Sequence, residues 1–508
     1  MRMPYDLSEF VRLVKRCPAE KRAAFVPAYE QTLSKESSPL KYKEHELNDL
    51  SSIVTGFIDH GLDESCLDGF VFSYHIPRIS CEFDLLKMGE TAIVDIELKS
   101  QRVGDEKLIH QMRRNAYYLS FLGKETCVSC YVSSDDEWYE LEDDRLRQMS
   151  WDEACAKLAA VRACEPTDYD ALFTPNRYLV SPIVNYDRFA AGEYFLSDQQ
   201  EDAKKRVMAC LGRQGSDGVV VAGGAGTGKT LLLFDVARSV ALKTGKRAAI
   251  FHGAQLSDLH QSFNEKSDEI VILHPRRLKD ADVTHYSFVG FDEAHRMYPT
   301  QFEAATGRVK AAGLPFMVTL DSRQSMSRQE DANAVEKIAK GLVPSERYYN
   351  LGKKFRTNKV VDDFVEAFVF GRRLRLSSSE GIDVVFAEDE AEAKAQANRF
   401  REVGYQLIAM SPSKRKGSTL STLVLDGCPS THSVIGLEYD KVVMIVSHVS
   451  MREGKLCDEG YPDPHLMPTR LLYQGLTRAR DAIALVVLSD WDVYQRAVEL
   501  IATAYREY

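Results

Sequence analysis

One segment, residues 219–237, constrains the fold of this chain more than any other, and its sequence is VVVAGGAGTGKTLLLFDVA. It fits the pattern GxxxxGK followed by Ser or Thr, between an apolar strand and an amphipathic helix. Its glycines include Gly223, Gly226 and Gly228. Glycines let such a loop wrap a phosphate group, because backbone N–H groups point inward and the positive end of the helix dipole lies beside them. The pattern predicts that Lys229 reaches the β and γ phosphates of a nucleotide and that Thr230 binds Mg²⁺.

An acidic pair follows further along the chain, in the segment HYSFVGFDEAH. It places Asp292 and Glu293 at the carboxyl end of a predicted strand, which is the edge where open α/β sheets bind ligands. Alone, such a pair is commonly the solvated start of a helix. Together with the glycine loop it predicts a nucleotide hydrolysis site, in which Asp292 holds the Mg²⁺ and Glu293 orients or deprotonates the attacking water.

Short apolar runs alternate with helical segments over residues 190–508. The first set comprises GVVVAGG, RAAIFHGA, EIVILHP, YSFVGFDEAH and LPFMVTLD, and the second comprises IDVVFA, YQLIAMS, DKVVMIVS and AIALVVLS. This alternation is typical of parallel sheets with helices on both faces. We therefore predict an α/β fold with two tandem parallel sheets in this part of the chain.

Five further segments occur in the order FLSDQQEDA, LPFMVTLDSRQSM, LGKKFRTN, STHSVIGLEYDKVV and YQGLTRARDAIALVV. With the two motifs above, they make residues 190–508 resemble the core of superfamily 1 helicases. The letters DEAH alone would suggest superfamily 2, but YQGLTRAR stands where that superfamily shows a QRxGR pattern. The resemblance implies two RecA-like P-loop domains, hydrolysis of ATP with Mg²⁺, and movement along nucleic acid.

The same resemblance implies roles for individual residues. It assigns Gln200 to the adenine, Gln324 to the γ-phosphate, Gly436 and Glu438 to nucleotide binding in the fifth motif, and Arg356 and Arg478 to two arginine fingers. An arginine supplied from a second domain is worth about 10³ to 10⁵ in the rate of phosphoryl transfer. We therefore expect hydrolysis to depend on closure of the two domains.

Two departures from the helicase pattern narrow the expected activity. Too few residues separate Arg356 from Thr431 to hold the large inserted domain that many relatives use to destabilise duplex. Met326 stands near the position of the usual aromatic residue, so base stacking has to come from elsewhere. Translocation or nucleic-acid sensing therefore fits the sequence better than robust unwinding.

A second polar constellation lies nearer the amino terminus, in TAIVDIELK at residues 91–99. Side chains alternate along a strand, so the apolar residues share one face and Asp95, Glu97 and Lys99 share the other. Taken alone, this is the pattern of an ordinary half-exposed strand. The neighbouring segments add further acids and amides to it.

With those neighbours, roughly residues 40–135 resemble the PD-(D/E)XK nuclease superfamily. The neighbours are Asp84 on the preceding strand, Gln111 with Tyr117 or Tyr118 on the following helix, and Glu46 on the helix upstream. The resemblance implies that Asp84, Glu97 and Glu46 hold Mg²⁺, or Mn²⁺ in its place. It implies that Lys99 positions the nucleophile, and that Gln111 with the tyrosine forms a helix motif found in the branch that accompanies helicases. The alternative is a degenerate copy of this fold without activity.

These patterns predict four parts of the chain. They are a restriction-endonuclease-like α/β domain at 1–145, a connecting segment at 146–190, and RecA-like domains at 191–345 and 346–508. The first RecA-like domain carries the ATP site and the second carries the arginine fingers. The acidic run at 133–144 is predicted to be a solvated edge and loop.

Composition limits the partners that the chain can attract. Its formal charge is -10 and its pI is near 5.8, so no overall field would draw it onto nucleic acid or an anionic membrane. Any polyanion must be bound by local sites, with a steep dependence on salt. The amino terminus lacks the apolar core of a signal peptide and no stretch of about 18 apolar residues occurs, which predicts a cytoplasmic protein without a membrane partner. The scattered cysteines fit reduced structural thiols.

We expect an ATP-driven nucleic-acid motor joined to a Mg²⁺-dependent nuclease. By resemblance to the bacterial and Schlafen-type helicase branch, its setting would be defence against phage or other foreign DNA. The expected partner is single-stranded DNA, or duplex DNA with a single-stranded region. The sequence leaves open whether the chain also binds RNA, a protein partner or a second copy of itself. The alternative function is an ATP-gated nucleic-acid sensor whose nuclease fold is inert.

Overall fold

The computed structural model describes residues 4–33, 44–76, 81–143, 145–162, 168–173, 178, 180–211, 218–279, 282–321, 326, 331–352, 358–411 and 427–505. The chain divides into two compact units, Met1–Leu179 and Val180–Tyr508, which we call the amino-terminal and carboxy-terminal units. Each unit has apolar cores of its own.

In its described part, the amino-terminal unit is a mixed sheet with helices on both faces. Its strands are β1 (Phe70–His75), β2 (Glu82–Met88), β3 (Ala92–Lys99), β4 (Glu125–Val132), β5 (Glu137–Glu142) and β6 (Arg145–Met149). Its helices are α1 (Leu7–Arg16), α2 (Ala19–Leu33), α3 (Glu44–Asp59), α4 (Asp105–Ser120), α5 (Trp151–Ala160) and α6 (Tyr169–Leu172). The strands follow the order β1-β2-β3-β4-β5-β6. Neighbours are antiparallel except β3 and β4, which are parallel and are joined through α4.

Helices cover both faces of β3. On one face, Val94, Ile96 and Leu98 pack into a core with residues of α1 and α3. On the other face, α4 lies over Asp95 and Glu97, and both acids are fully buried. The strand is therefore not half-exposed, because the helix predicted after it encloses the charged side.

The acidic run at 133–144 contains a strand rather than only a solvated edge. Trp138 in β5 is buried and packs against Phe57, with ring centroids 5.5 Å apart. The carboxylate of Glu140 is balanced by Arg147, which donates at 2.6 Å, and by Lys157. The prediction failed because Trp138 and Tyr139, which stand between the acids, are buried, and their burial outweighs the charge of the run.

Residues 146–190 contribute to both units instead of forming a separate connecting segment. In the amino-terminal unit, β6 pairs with β5, and Leu158 of α5 enters the core. The buried hydroxyl of Tyr169 accepts a 2.9 Å hydrogen bond from Met88 N. Phe189 packs into a core of the carboxy-terminal unit. The boundary thus falls between residues 179 and 180. The segments before and after it each place apolar side chains in the core of their own unit, which a polar linker would not do.

The carboxy-terminal unit contains two parallel sheets in its described part. The first consists of β7 (Gly218–Gly223), β8 (Ala248–His252), β9 (Ile270–Leu273), β10 (Val289–Asp292), β11 (Phe316–Leu320) and β12 (Tyr348–Leu351), in the order β12-β7-β11-β10-β8-β9. The second consists of β13 (Ile382–Ala387), β14 (Gln406–Leu407), β15 (Tyr439–Val446) and β18 (Ala479–Leu488), in the order β13-β18-β15-β14. A separate antiparallel hairpin is formed by β16 (Val449–Arg452) and β17 (Lys455–Asp458).

Helices flank both of these sheets. They are α7 (Tyr186–Ala191), α8 (Asp198–Leu211), α9 (Lys229–Thr244), α10 (Asp258–Lys266), α11 (Pro299–Ala311), α12 (Ala332–Leu342), α13 (Lys359–Phe370), α14 (Glu390–Glu402), α15 (Pro468–Leu476) and α16 (Trp491–Ala502). Alternate residues of β7 enter different cores: Val219 and Val221 pack with α8 and α9, and Val220 packs with α11 and α12. The predicted α/β fold with parallel sheets is confirmed, since strands buried on both faces need such continuous apolar runs.

One strand lies in a different sheet from the one expected. The sequence assigns residues 346–508 to the second domain, but β12 pairs with β7 of the first sheet, with Tyr349 opposite Val221. Its last residue, Leu351, is buried in the core on that sheet. The first sheet therefore extends to residue 351. Among the described helices, none has the length and apolar character needed to cross a membrane.

Candidate active sites

The glycine-rich loop joins β7 to α9 at the carboxyl edge of the first sheet. Gly226 and Gly228 have φ of 72° and 77°, a left-handed conformation that glycine adopts without strain. Lys229 begins α9 and is buried, and its Nζ donates a 2.8 Å hydrogen bond to Gly224 O. Burial lowers the pKa of this lysine below its ordinary value. The ammonium group is therefore held inside the loop that the sequence pattern assigns to a phosphate.

Thr230 and Asp292, the two residues predicted to bind Mg²⁺ at this loop, lie together. Thr230 Oγ1 is 3.3 Å from Asp292 Oδ1. The same carboxylate accepts a 2.7 Å hydrogen bond from Thr319 Oγ1 and lies 3.2 Å from His252 Nδ1. Residues of β8, β11 and α9 thus fix the carboxylate that ends β10. Oxygen atoms of this kind suit a hard cation such as Mg²⁺.

Glu293 follows directly, with φ of 52°, which is uncommon for a residue other than glycine. Its Oε2 lies 3.2 Å from Arg296 Nε and 3.3 Å from His295 Nε2. His295 Nδ1 accepts a 3.0 Å hydrogen bond from Asp321 N, and burial lowers the pKa of His295 to about 4. Burial alone would raise the pKa of Glu293, but the positive charges around it, including Arg296 and Lys229, hold that pKa below its ordinary value. Glu293 is therefore an ionised carboxylate at neutral pH.

Residues from the second sheet share a cavity with the glycine loop. From the first sheet and its loops the cavity is lined by Gly226, Gly228, Lys229, Thr230 and Glu293, and from the second by Gly436, Glu438 and Arg478. Arg478 is buried, its Nε donates to Gln474 O at 3.2 Å, and burial lowers its pKa. Arg480 Nε and Nη2 both lie 3.2 Å from Glu438 Oε2. The predicted phosphate loop, the predicted water-orienting acid and one predicted arginine finger are thus brought together.

Gln200, predicted to contact adenine, is buried against the glycine loop. Its Nε2 donates to Thr227 O at 3.3 Å and to Gly228 O at 3.2 Å, and its Oε1 accepts from Ser197 N at 2.8 Å. A Cβ atom at Gly228 would lie 1.9 Å from this Nε2. Gln200 therefore braces the loop, and the close approach requires glycine at position 228.

Met326, near the position of the usual stacking aromatic, is fully buried. It packs with Ala254 beside the first sheet and with Ile435 and Leu471 beside the second, a cluster that we call the apolar joint. Its carbonyl oxygen accepts a 3.0 Å hydrogen bond from Met467 N. Met326 therefore fastens the two sheets to each other rather than offering a surface to nucleic-acid bases.

The charged side of β3 forms a second candidate site, in the amino-terminal unit. Lys99 Nζ lies 3.0 Å from Glu97 Oε2 and 3.5 Å from Asp84 Oδ2. Gln111 Nε2, on α4, donates to the same oxygen of Glu97. Asp84 Oδ2 also accepts a 2.8 Å hydrogen bond from the backbone N–H of Leu98. The structure therefore brings together the four predicted residues Asp84, Glu97, Lys99 and Gln111.

Burial and like charge dominate the electrostatics of this second site. Burial, followed by the charge of Glu97, raises the pKa of Asp84 well above its ordinary value, and the same two causes raise that of Asp95. Burial opposes the change at Lys99, but the charges of Glu97 and Asp84 outweigh it and raise the pKa of that lysine. A divalent cation on the oxygens of Asp84 and Glu97 would add the positive charge that a single lysine does not supply.

Asn115 also belongs to this site, although it was not among the predicted residues. Its Nδ2 donates to Asp95 Oδ2 at 2.8 Å and to Glu97 Oε1 at 2.6 Å. It follows Gln111 by four residues, a spacing that places both side chains on one face of α4. That spacing is the signal from which the sequence could have identified it.

Two other predicted nuclease residues, Tyr117 and Glu46, lie on α4 and α3. The hydroxyl of Tyr117 donates to Tyr178 O at 3.4 Å, so this ring belongs to an aromatic group at the end of α4. Glu46 is half-buried on α3, one turn before Asp49. Asp49 Oδ2 accepts a 2.6 Å hydrogen bond from Ser100 Oγ, just after β3. Asp49 therefore ties α3 to the end of this strand.

Within the residues that the structure describes, no three His, Cys, Asp or Glu side chains are grouped so as to hold a metal ion. Mg²⁺ is commonly bound through one or two carboxylates and keeps several waters, so the pairs described above remain compatible with it. Gln324 and Arg356, the predicted γ-phosphate sensor and the first arginine finger, lie outside the described residues.

Comparison with known proteins finds similarity over part of the chain. Residues 216–426 match the family model described as Schlafen group 3, DNA/RNA helicase domain. A similar solved structure is the complex of Arterivirus nonstructural protein 10 (helicase) with DNA, at 13% identity and a TM-score of 0.31, over 59% of this chain and 65% of that one, less than two thirds of its length. Another is Pif1 helicase from Candida albicans, at 12% identity and a TM-score of 0.32, over 60% of this chain and 99% of that one. No curated protein sequence matches the chain. The family match indicates a helicase-like domain at residues 216–426.

Proposed function

We propose that this chain is an ATP-driven motor on nucleic acid, built on two RecA-like domains of the superfamily 1 type. The observation that carries the proposal is the cavity to which both parallel sheets contribute. Lys229 and Glu293 line it from the first sheet, and Arg478 lines it from the second. Hydrolysis that needs groups from two sheets depends on their relative position, which is the coupling that a motor requires.

The lining residues have separable parts in this reaction. Thr230 and Asp292 would hold Mg²⁺, which when bound offsets negative charge on the phosphates. Lys229 binds the β and γ phosphates, and Arg478 adds positive charge where the transition state gains negative charge. Glu293, an ionised carboxylate, would orient or deprotonate the attacking water.

Hydrolysis of ATP by the purified chain, with and without single-stranded DNA or RNA, tests the motor. We expect one polymer to stimulate the rate, and we expect Lys229→Ala to lower it by about 10² to 10³ because a charged phosphate contact is lost. Lys243→Ala, at an exposed position near the end of the same helix, is the matched control and should keep the wild-type rate. Full nucleic-acid-stimulated activity in Lys229→Ala would contradict the proposal. The polymer comparison also tests the expectation of DNA over RNA.

We propose a second activity for the amino-terminal unit, the Mg²⁺-dependent cleavage of phosphodiester bonds by a PD-(D/E)XK-like site. It is supported by the contacts of Lys99 and Gln111 with the carboxylate of Glu97, and by the contact of Lys99 with Asp84. Asp84 and Glu97 would hold the cation, with Mn²⁺ able to replace Mg²⁺, and the cation when bound lowers the pKa of a water molecule. Lys99 would position that nucleophile against the phosphate.

Cleavage of open and end-blocked DNA, each with and without ATP, tests this activity and its coupling to the motor. We expect Glu97→Gln and Lys99→Met to lose cleavage while keeping the stimulated ATPase. Lys107→Met, at an exposed position in the first turn of α4, is the control. If the wild type cleaves no DNA or RNA with Mg²⁺ or Mn²⁺, the alternative is favoured, an ATP-gated nucleic-acid sensor with an inert nuclease fold.

Defence against phage or other foreign DNA is the setting that we propose for these two activities. It rests on the resemblance to the Schlafen-type branch of helicases. Phage should form fewer plaques on bacteria that express the wild-type chain than on bacteria that express Lys229→Ala. Equal plaque counts would contradict this setting. Mass measurement in solution, with and without DNA, would show whether the chain acts alone, as a homo-oligomer or with a protein partner.

A further inference from the structure

A buried polar bridge connects the two parallel sheets of the carboxy-terminal unit. Arg296 Nη2, just after β10, donates a 2.9 Å hydrogen bond to Gln474 Oε1 on α15. Gln474 is fully buried and Arg296 is nearly so. A guanidinium group only donates hydrogen bonds, so the amide of Gln474 must turn its oxygen toward it. The bridge therefore has one defined geometry.

Both ends of this bridge lead to residues that line the cavity at the glycine loop. Arg296 Nε lies 3.2 Å from Glu293 Oε2, and Gln474 O accepts a 3.2 Å hydrogen bond from Arg478 Nε. Glu293 and Arg478 are themselves part of the cavity wall. A path of polar contacts, which passes through the side chain and then the backbone carbonyl of Gln474, thus runs from an acid of the first sheet to an arginine of the second.

Because the backbone at Glu293 is held in place, the direction of its carboxylate depends on that path of polar contacts. Its φ of 52° is a strained conformation for this residue, and a Cβ atom at Gly253 would lie 2.3 Å from Glu293 O. Such a crowded main chain cannot shift easily to re-aim the carboxylate. The direction of the carboxylate is therefore set by its side-chain partners, of which Arg296 is the one that reaches the second sheet.

Packing alone would not require this bridge, because the apolar joint already fastens the two sheets. Arg296 Nη1 and Gln474 Nε2 have no hydrogen-bond acceptor among the described residues, although both atoms are buried. Buried donors without acceptors are unfavourable, so a contact kept only for stability would be better made of apolar side chains. The polar contact instead fixes geometry between the sheets.

We propose that Arg296 and Gln474 are positioning residues for ATP hydrolysis, which aim Glu293 and Arg478 at the same nucleotide when the two sheets are docked. The inference rests on the proposed ATPase and adds two residues that act through others rather than on ATP. Separation of the sheets would break the bond between Arg296 and Gln474 and release Glu293 from its orientation. Hydrolysis would then be confined to the docked arrangement.

Steady-state ATP hydrolysis at saturating nucleic acid tests the proposal in Gln474→Leu and Arg296→Met. We expect kcat to fall by about 10- to 100-fold in each, because a small misplacement of a catalytic group costs rates of that order. We expect KM for ATP to change by no more than about twofold, since neither side chain lines the cavity. Gln474→Glu keeps an acceptor for Arg296 and should retain most of the rate. Gln301→Leu, half-buried on α11, is the control and should match the wild type.

A double variant separates positioning from general damage. Because the two side chains share one bond, Arg296→Met with Gln474→Leu should be no slower than the slower single variant. The proposal would be overturned if the kcat losses of the two single variants multiply in the double variant, or if KM rises without a fall in kcat. If Gln474→Leu does not fold, Arg296→Met and Arg296→Lys, which should lose kcat, are compared with Gln474→Glu, which should keep most of it. If the wild type hydrolyses ATP and all variants keep its rate, the positioning role of Arg296 and Gln474 is refuted but the motor is not. If the wild type hydrolyses no ATP, both proposals are refuted.

Discussion

Asn115 donates a 2.6 Å hydrogen bond to Glu97 from the helix that covers β3. The same Nδ2 donates to Asp95 at 2.8 Å, so two buried carboxylates share one amide. Asn115→Leu keeps the branched shape of the side chain and removes this donor from both acids. We expect it to lower the free energy of unfolding of the amino-terminal unit by about 2–4 kcal/mol, because both buried acids lose a hydrogen bond and hydrogen bonds to charged groups are worth more than those between neutral groups. Chemical denaturation, with hydrogen exchange at the amides of β3, measures the loss.

Tyr117→Phe provides a control on the same helix. It removes the hydroxyl that donates a 3.4 Å hydrogen bond to Tyr178 O, so we expect a loss below about 1 kcal/mol in the free energy of unfolding. An equally small loss in Asn115→Leu would show that other donors replace the amide of Asn115.

Asp95 should make stability depend on pH in a defined direction. Burial, followed by the charge of Glu97, raises its pKa in the folded chain above the ordinary 3.8. A carboxyl group of this kind favours the folded state below its unfolded pKa, and that contribution is lost as the pH rises toward the folded pKa. Asp95→Asn keeps an oxygen acceptor for Asn115 but has no proton to lose. We expect the variant to be more stable than the wild type, by an amount that is small at about pH 4 and grows toward pH 8. Denaturation curves in which this difference stays constant with pH would contradict the assignment.

Thr319 should set how tightly the motor site holds its cation. Its Oγ1 donates a 2.7 Å hydrogen bond to Asp292 Oδ1, which orients the carboxylate toward Thr230. Thr319→Val has nearly the same shape without this donor. Loss of a group that orients a metal ligand typically weakens metal binding by about 10- to 100-fold, so we expect the Mg²⁺ concentration for half-maximal ATPase to rise by about tenfold or more.

A buried threonine elsewhere in the first sheet region is the control for this measurement. Thr306 Oγ1 donates to Phe302 O within α11, so Thr306→Val should leave the Mg²⁺ requirement unchanged. An unchanged requirement in Thr319→Val would mean that Asp292 keeps its orientation through His252 and Thr230 alone.

The sequence predicted those parts of the motor site whose residues lie close together along the chain. Lys229 and Thr230 follow their glycines directly, and Asp292 with Glu293 ends an apolar run. The partners of Asp292 were not predictable in this way. Thr319 and His252 come from β11 and β8, and they reach Asp292 only because both strands neighbour β10 in the sheet. No short-range pattern encodes that strand order.

The amino-terminal unit shows a different limit of sequence reasoning. Alternation along β3 placed Glu97 and Lys99 on one side, and the structure has them in contact. The covering helix was predicted, and the choice of Tyr117 on it follows from the resemblance to the nuclease superfamily, whereas the amide that contacts both Asp95 and Glu97 is that of Asn115, four residues after Gln111. Trp138 shows that a count of charges can hide a buried strand, because net charge says nothing about which alternate residues face the core.

Met326 should report how firmly the two sheets of the carboxy-terminal unit are joined. It is fully buried in the apolar joint with Ala254, Ile435 and Leu471. Met326→Ala should lower the free energy of unfolding of this unit by about 2–5 kcal/mol, as large-to-small changes in a core do. Met326→Leu nearly conserves the volume and should cost less than about 1.5 kcal/mol. Because the joint includes residues beside both sheets, we also expect the alanine variant to lose more of the nucleic-acid-stimulated ATPase than of ATP binding, measured with a fluorescent nucleotide. A stable Met326→Ala with full stimulation would mean that the sheets are held together without this side chain.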